Sequence, residues 1–386
     1  MSVPALRDQF LLDPSVLFLN HGSFGACPKP VFETYQRWQL ELERQPVQFL
    51  GRRADALLDE ARGRLSDYLG ASPDGLVFVP NATVGMNIAA RGLKLQPGDE
   101  ILTTDHEYGA IDKTWQFLCG KTGAVIVRHK VEVPVTTHDD FVESLWSAVT
   151  PRTRVISISH ITSPTALRFP VEAICRRARE AGILTLIDGA HAPGQIPLDM
   201  EAIGADFYTG NCHKWLCAPK GAGFLYARPE HHAASEPLVV SWGWSETASF
   251  VEKHQWQGTR DIASFLSVPA AIDFQAAHDW ESVRDYAHEL VRLARRAMSE
   301  ATGLEPISPD SRDWFVQMAA LPIPACDGVT LQRRLYDEHR IEIPYVNWNG
   351  RHFLRVSAQA YTTADQIEAL VEATMALLPQ VALPAS

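Results

Sequence analysis

Between residues 54 and 226, short apolar, β-branched runs alternate with stretches of helical periodicity. This alternation constrains the fold more than any other feature of the chain. The runs are Leu76–Val79, Glu100–Thr103, Ala124–Val127, Arg154–Ser157, Ile183–Ile187 and Gly223–Tyr226. Most are too short and too β-branched for helices. Ahead of them, Ala54, Leu57, Leu58, Ala61, Leu65 and Tyr68 recur at helical spacing, and Val171–Ala181 places Ile174 and Ala178 on one face. The pattern predicts an α/β fold with a mostly parallel central sheet covered by helices on both sides.

After about residue 260 the texture changes. Val283, Tyr286, Leu290, Leu293 and Ala297 mark a long helix, and Ile367, Leu370, Val371 and Leu378 a second one. Thr363 and Gln366 form a capping box ahead of the latter. Strand candidates Phe315–Ala320 and Phe353–Ser357 lie between the helices. The arrangement predicts a smaller α+β C-terminal domain, with a frayed tail after Leu378.

The chain carries 35 Lys and Arg against 46 Asp and Glu, a net charge of −11. An acidic balance argues against nucleic acid or an anionic membrane as main partner, because both need clustered cations. The six cysteines, Cys27, Cys119, Cys175, Cys212, Cys217 and Cys326, form no CxxC pair and no zinc-like spacing, so no metal site is expected. No apolar run reaches the ~18 residues of a membrane span, and Arg7, Asp8 and Asp13 interrupt the region where a secretory signal is apolar. A cytoplasmic protein with free thiols is expected.

Ligands of such sheets bind at the carboxyl ends of the strands. Ile183–Ile187 ends in Asp188-Gly-Ala-His191. An acid at the end of a buried strand is desolvated unless it has a cationic partner, and Gly189 admits close approach to the backbone. Further on, Lys214 sits among Cys212, His213, Trp215, Leu216 and Cys217, a poor setting for an idle charge. A free lysine amine, with a pKa near ~10.4, is a weak nucleophile at neutral pH, but an aldehyde cofactor can bond to a buried one. The two pieces together point to pyridoxal phosphate: a lysine for its aldehyde and an Asp to keep its ring nitrogen protonated. Asn81-Ala-Thr-Val-Gly-Met-Asn87 leads from a strand into a helix and offers backbone N–H groups and a hydroxyl to the phosphate. Gly258-Thr259 is a second candidate donor.

Further motifs run through nearly the whole chain: Leu19-Asn-His-Gly-Ser-Phe-Gly-Ala26, Asp105-His-Glu-Tyr-Gly-Ala110, His160-Ile-Thr-Ser-Pro-Thr-Ala166, Thr209-Gly-Asn-Cys-His-Lys214 and Gln257-Gly-Thr-Arg-Asp261. With Asp188-Gly-Ala-His191 they make the chain resemble class V aminotransferase-fold enzymes, fold type I of the pyridoxal-phosphate enzymes, and within them the isopenicillin N epimerase-like group. The resemblance implies an N-terminal segment (1–20) bordering the active site, a large cofactor-binding domain (21–258) and a small C-terminal domain (259–386).

It also implies roles. Lys214 is the Schiff-base lysine and proton shuttle, and Asp188 the partner of the ring nitrogen. His191 stands where many relatives have Gln beside the ring hydroxyl, and Ser163 where many have Asn. Ala82, Thr83, Asn211 and His213 hold the phosphate, and Thr259 reaches the phosphate of a neighbouring subunit in a homodimer. His106 is aligned to stack on the ring, with Tyr108 in the same loop as the alternative; either is a candidate proton donor. Arg355 matches the arginine that grips the substrate α-carboxylate, a task suited to its planar fork. Asn20 and His21 fall on the loop bordering the substrate. Trp242, Trp244 and Trp256 are candidates for the pocket wall.

The expected reaction starts with removal of the α-proton of an amino acid. Return of a proton on the opposite face gives epimerisation or racemisation, the reading preferred here. A C–S lyase or an aminotransferase is the alternative. A cysteine desulfurase needs a nucleophilic Cys shortly before the carboxylate-binding Arg, and residues 340–352 contain none; Cys326 lies too early.

Overall fold

The structure is a computed structural model and describes residues 6–383; the first five residues of the expected N-terminal segment lie outside them. In chain order the strands are β1 (Leu17–Phe18), β2 (Leu76–Val79), β3 (Glu100–Thr104), β4 (Val125–His129), β5 (Thr153–Ser159), β6 (Leu184–Gly189), β7 (Phe207–Asn211), β8 (Gly223–Ala227), β9 (Met318–Ile323), β10 (Ile341–Glu342), β11 (Tyr345–Trp348) and β12 (Arg351–Ser357). Seven form the central sheet in the order β2-β8-β7-β6-β5-β3-β4. Neighbours are parallel from β7 through β4, and β8 runs antiparallel to both β7 and β2.

Side-chain alternation divides the core into two layers, as a period of two requires. Val77, Val79, Ile101, Val155, Leu186 and Leu225 face one way, against the helices Ala82–Arg91 and Gly109–Thr122. Leu76, Phe78, Leu102, Ile156, Ile187 and Phe224 face the other, in the larger cluster with the helices Ala54–Leu69 and Val171–Glu180. The expected α/β fold with helices on both sides is present. β7 is an addition to the six expected runs.

The chain forms β3 and β4, then returns to the other side of β3 to form β5, β6 and β7. That reversal leaves a crevice beyond the strands' carboxyl ends. Thr104, Ser159, Asp188 and Asn211 stand in or at the ends of these strands, along one rim of the sheet.

A second, three-stranded antiparallel sheet, β11-β12-β9, carries Arg355. Its strands begin three residues later (β9) and two earlier (β12) than expected. The helix Trp280–Thr302 packs on β9 through Val283, Ala287, Leu290, Val291, Ala294 and Met298; Tyr286, Leu293 and Ala297 flank this seam. The helix Ala364–Leu377 starts at the expected capping pair, the Thr363 N–H donating to the Gln366 side chain at 3.3 Å. The tail is tied down beyond Leu378, because the Asp327 N–H donates to the Val381 carbonyl at 2.8 Å.

The N-terminal segment belongs to both units. β1 pairs in parallel with β10. The single helical turn His21–Phe24 then ends at Gly25, whose φ is +72°. A Cβ at Gly25 would lie 2.1 Å from the His213 carbonyl oxygen, so only glycine fits this segment against the turn that carries Lys214.

Candidate active site

The strand-end loops enclose a cavity of about 350 Å³, lined among others by Ser23, Thr83, Tyr108, Asp188, His191 and Lys214. Asp188 is the one acid among the described residues on its wall. Its Oδ1 accepts the Ala190 N–H at 2.9 Å, and no ion pair holds it among the described residues. Burial pushes its carboxyl above the ordinary range, opposed by the Ala190 hydrogen bond and the Lys214 charge. A buried carboxyl facing a cavity without a cationic partner calls for one from outside the chain. Gly189 allows close approach as expected: a Cβ there would stand 2.2 Å from the Tyr208 ring.

Lys214 follows the buried turn after β7. Burial and the Arg355 charge lower its amine to about 8, with Asp188 acting in the opposite sense. About a tenth of it is therefore the neutral nucleophile at pH 7, against well under a hundredth for an ordinary lysine. Its Nζ lies 3.2 Å from His191 Nε2. His191 is buried and held well below the ordinary imidazole range by burial first and the Lys214 charge second, so it is neutral.

At the other end of the cavity, Asn81 caps the helix Ala82–Arg91 by accepting the Val84 N–H at 3.0 Å. The Ala82 N–H, expected to face a phosphate, donates instead to Asn211 Oδ1 at 2.8 Å. Ala82 and Asn211 thus brace each other, and Thr83 is left with its hydroxyl free of protein partners among the described residues. His213 donates its Nδ1–H to the Ala222 carbonyl at 2.9 Å, and burial lowers it to about 4. It is neutral, so Lys214 is the one strongly basic group on the cavity wall among the described residues.

Arg355 points from β12 toward the cavity. Its Nη1 donates to the Ser163 carbonyl at 2.5 Å and the Ser163 hydroxyl at 3.2 Å, and its Nη2 to Ser23 Oγ at 3.1 Å. Its buried Nε has no partner. Burial lowers the guanidinium to about 10, which leaves it charged at neutral pH.

Several expected residues stand elsewhere. His106 is fully buried beneath Trp348, ring centroids 4.2 Å apart, with Nδ1 2.6 Å from Thr165 Oγ1. The aromatic slot made by Phe169 and Trp348 takes the imidazole, and Tyr108, half exposed, borders the cavity instead. His21 is also buried. Its Nδ1 meets the Tyr361 hydroxyl at 2.8 Å, its Nε2 meets the Lys214 carbonyl at 3.0 Å, and burial lowers it to about 3. Asn20 donates to Glu342 at 2.9 Å and accepts from Ser23 Oγ at 2.6 Å, so it reaches Arg355 only through Ser23. Thr259 is exposed and away from its own chain's cavity. Trp242, Trp244 and Trp256 line a separate surface groove, where Trp242 is 94% exposed.

The sequence reading missed Ser23, Phe24 and Glu107. Glu107 is buried, accepts from Thr104 Oγ1 and Ser159 Oγ at 2.6 Å each, and is pushed up to about 8, chiefly by burial. An acid placed between two strand-end hydroxyls was its only signal. No described cysteine lines the cavity, and burial raises the Cys326 thiol.

The family profile of aminotransferase class V matches residues 26–370. The chain is 37% identical over 384 residues, 95% of its own length and 96% of the relative's, to an isopenicillin N epimerase of Amycolatopsis lactamdurans. It is 28% identical to putative L-cysteine desulfhydrase 1 of Oryza sativa subsp. japonica, covering 95% of this chain and 84% of the relative. Among solved structures, a C-DES mutant with glycine covalently linked to its PLP cofactor superposes with a TM-score of 0.83 at 20% identity, covering 96% of this chain and 98% of that one. The chain belongs to the aminotransferase class V family. It is a pyridoxal-phosphate enzyme of fold type I, as the motifs implied. The residues present fit that cofactor: a buried acid with no ion-pair partner among the described residues, a lysine with a lowered pKa and a capped helix start surround one cavity. No described helix is long and apolar enough to cross a membrane.

Proposed function

We propose that the enzyme inverts the α-carbon of an amino acid. One observation supports this reading: two proton-bearing side chains border the Asp188 cavity from loops on opposite sides of β6. Lys214 follows β7 and Tyr108 follows β3, and these strands lie three positions apart in the sheet, about 14 Å at the usual strand spacing. The 37% likeness to an isopenicillin N epimerase supports it.

Bound pyridoxal phosphate supplies an aldehyde for an amine and a ring that accepts the electrons left when the α-proton departs. The residues do the rest. Asp188 holds a positive charge at the ring nitrogen. The Thr83 hydroxyl and the start of its helix receive the phosphate, braced by the pairing of Ala82 with Asn211 and flanked by His213. Arg355 exchanges its bonds to Ser163 and Ser23 for the two oxygens of the substrate carboxylate, which fixes the α-carbon's orientation. The Lys214 Nζ takes the α-proton on one face, and the Tyr108 hydroxyl gives one back on the other. Thr259, exposed on its own chain, is assigned to the cofactor phosphate of a second copy in a homodimer.

The test is to incubate amino acids with the loaded enzyme in D₂O and separate the products by chiral chromatography. Inversion with deuterium at the α-carbon is expected. Release of a thiol or sulfide and a 2-oxo acid without inversion overturns the reading. That second outcome has its own support in the L-cysteine desulfhydrase relative and would make the enzyme a C–S lyase.

A further inference from the structure

His191 stands between two nitrogens that come from adjacent residues. The Trp215 Nε1–H donates to its Nδ1 at 3.2 Å, and Lys214 Nζ lies 3.2 Å from its Nε2. An indole nitrogen is a donor only. His191 Nδ1 must therefore be bare, and the single proton of the neutral ring sits on Nε2. We propose that Trp215 is a positioning residue that locks His191 as the Nε2–H tautomer, so that a fixed N–H donor faces the cavity beside the Lys214 amine.

The surroundings hold this arrangement rigidly. Trp215 is fully buried, and its carbonyl accepts from Gln275 Nε2 at 2.9 Å. The His191 carbonyl accepts from Gln195 Nε2 at 2.7 Å. A Cβ on Gly194 would stand 2.2 Å from the Trp215 carbonyl oxygen, so the two segments are in backbone contact. The charged and titratable groups facing His191 are Lys214, Arg355 and His21, all of which oppose a positive charge on its ring; Asp188 is the one acid bordering the same cavity. An imidazolium would also turn an Nδ1–H against the indole N–H. In the neutral form of Lys214 the amine lone pair accepts this Nε2–H, so the tautomer and the reactive amine favour each other. That donor is then aimed at any oxygen that enters the cavity beside Nζ.

The inference rests on Lys214 being the reacting amine, and it holds for either reaction outcome. It is tested by ¹⁵N NMR of histidine-labelled protein, cofactor-free and loaded, with the His191 signals assigned by their loss in His191→Gln. The wild type is expected to show a bare Nδ1 and a protonated Nε2. A proton on Nδ1 overturns the proposal whatever the variants do. In Trp215→Phe the Nδ1 signal is expected to gain protonated character, and the pH midpoint of the loaded enzyme's visible absorbance to shift by about half to one unit. An amide carries its N–H permanently, so adding Trp215→Phe to His191→Gln should leave the midpoint where His191→Gln puts it. An equal shift in both backgrounds means that Trp215 acts by packing alone and overturns the proposal. Failure of the site reading has a different signature, a visible absorbance that survives Lys214→Ala.

Discussion

The guanidinium of Arg355 donates to the Ser163 carbonyl across 2.5 Å, while its Nε meets no partner. The side chain is thus charged, buried and incompletely satisfied, and a planar carboxylate with two acceptor oxygens is what it lacks. Arg355→Ala removes charge-assisted bonds worth about 1.5–3 kcal/mol. The KM for amino acids should rise about 10- to 100-fold, while the cofactor's affinity stays as in the wild type. Steady-state kinetics beside a cofactor titration separates the two.

Asp188 is costly to the cofactor-free chain. Its pKa is raised by burial, so its contribution to stability is present below the unfolded carboxylate range and lost as the pH rises through the folded value. Asp188→Asn should therefore melt at a higher temperature than the wild type at neutral pH without cofactor, and gain less on cofactor addition. Calorimetry of both forms, empty and loaded, reads this sign reversal.

Glu107 follows the same sign, its buried carboxyl pushed up to about 8. A carboxyl near 4.5 in the unfolded chain and about 8 in the folded one contributes most below pH about 4.5 and loses that contribution up to pH about 8. Glu107→Gln should be the more stable protein at alkaline pH, by about 1–3 kcal/mol, with the difference shrinking toward acid. Denaturant melts across this range check it.

Tyr108 is assigned the second face. Tyr108→Phe should retain α-proton exchange through Lys214 and lose inversion by about 100-fold or more, the usual scale for a positioned proton donor. Deuterium wash-in measured beside chiral analysis gives both rates from one incubation.

Much of this was readable from residues alone, and the exceptions share a cause. The six apolar runs became strands because their alternating side chains have two layers of core to enter. β7 was overlooked because Thr209, Gly210 and Asn211 look like a loop. They sit mid-sheet because Thr209 Oγ1 donates to the Phe224 carbonyl at 2.7 Å and Asn211 takes the Ala82 N–H. Lys214 and Asp188 were legible because an unpaired charge among apolar neighbours is itself a signal. The roles of His106 and Tyr108 were not. Which side chain of that turn faces inward is decided by Phe169 and Trp348, distant in sequence. Ser23 escaped for the same reason, its partner Arg355 lying at the far end of the chain. The N-terminal loop was expected at the substrate through Asn20 and His21. It meets the cavity through Ser23 and Phe24, because the turn after His21 buries the first pair and presents the second.

The most direct test of the whole site is to locate the amine that carries the cofactor. Borohydride reduction of the loaded enzyme fixes the cofactor to that nitrogen, and peptide mass spectrometry then finds the modified residue. The label should fall on Lys214 alone. A label on Lys220, the lysine beside the same turn whose Nζ donates to the Gly25 carbonyl at 2.9 Å, or a protein that takes up no label, would contradict the account.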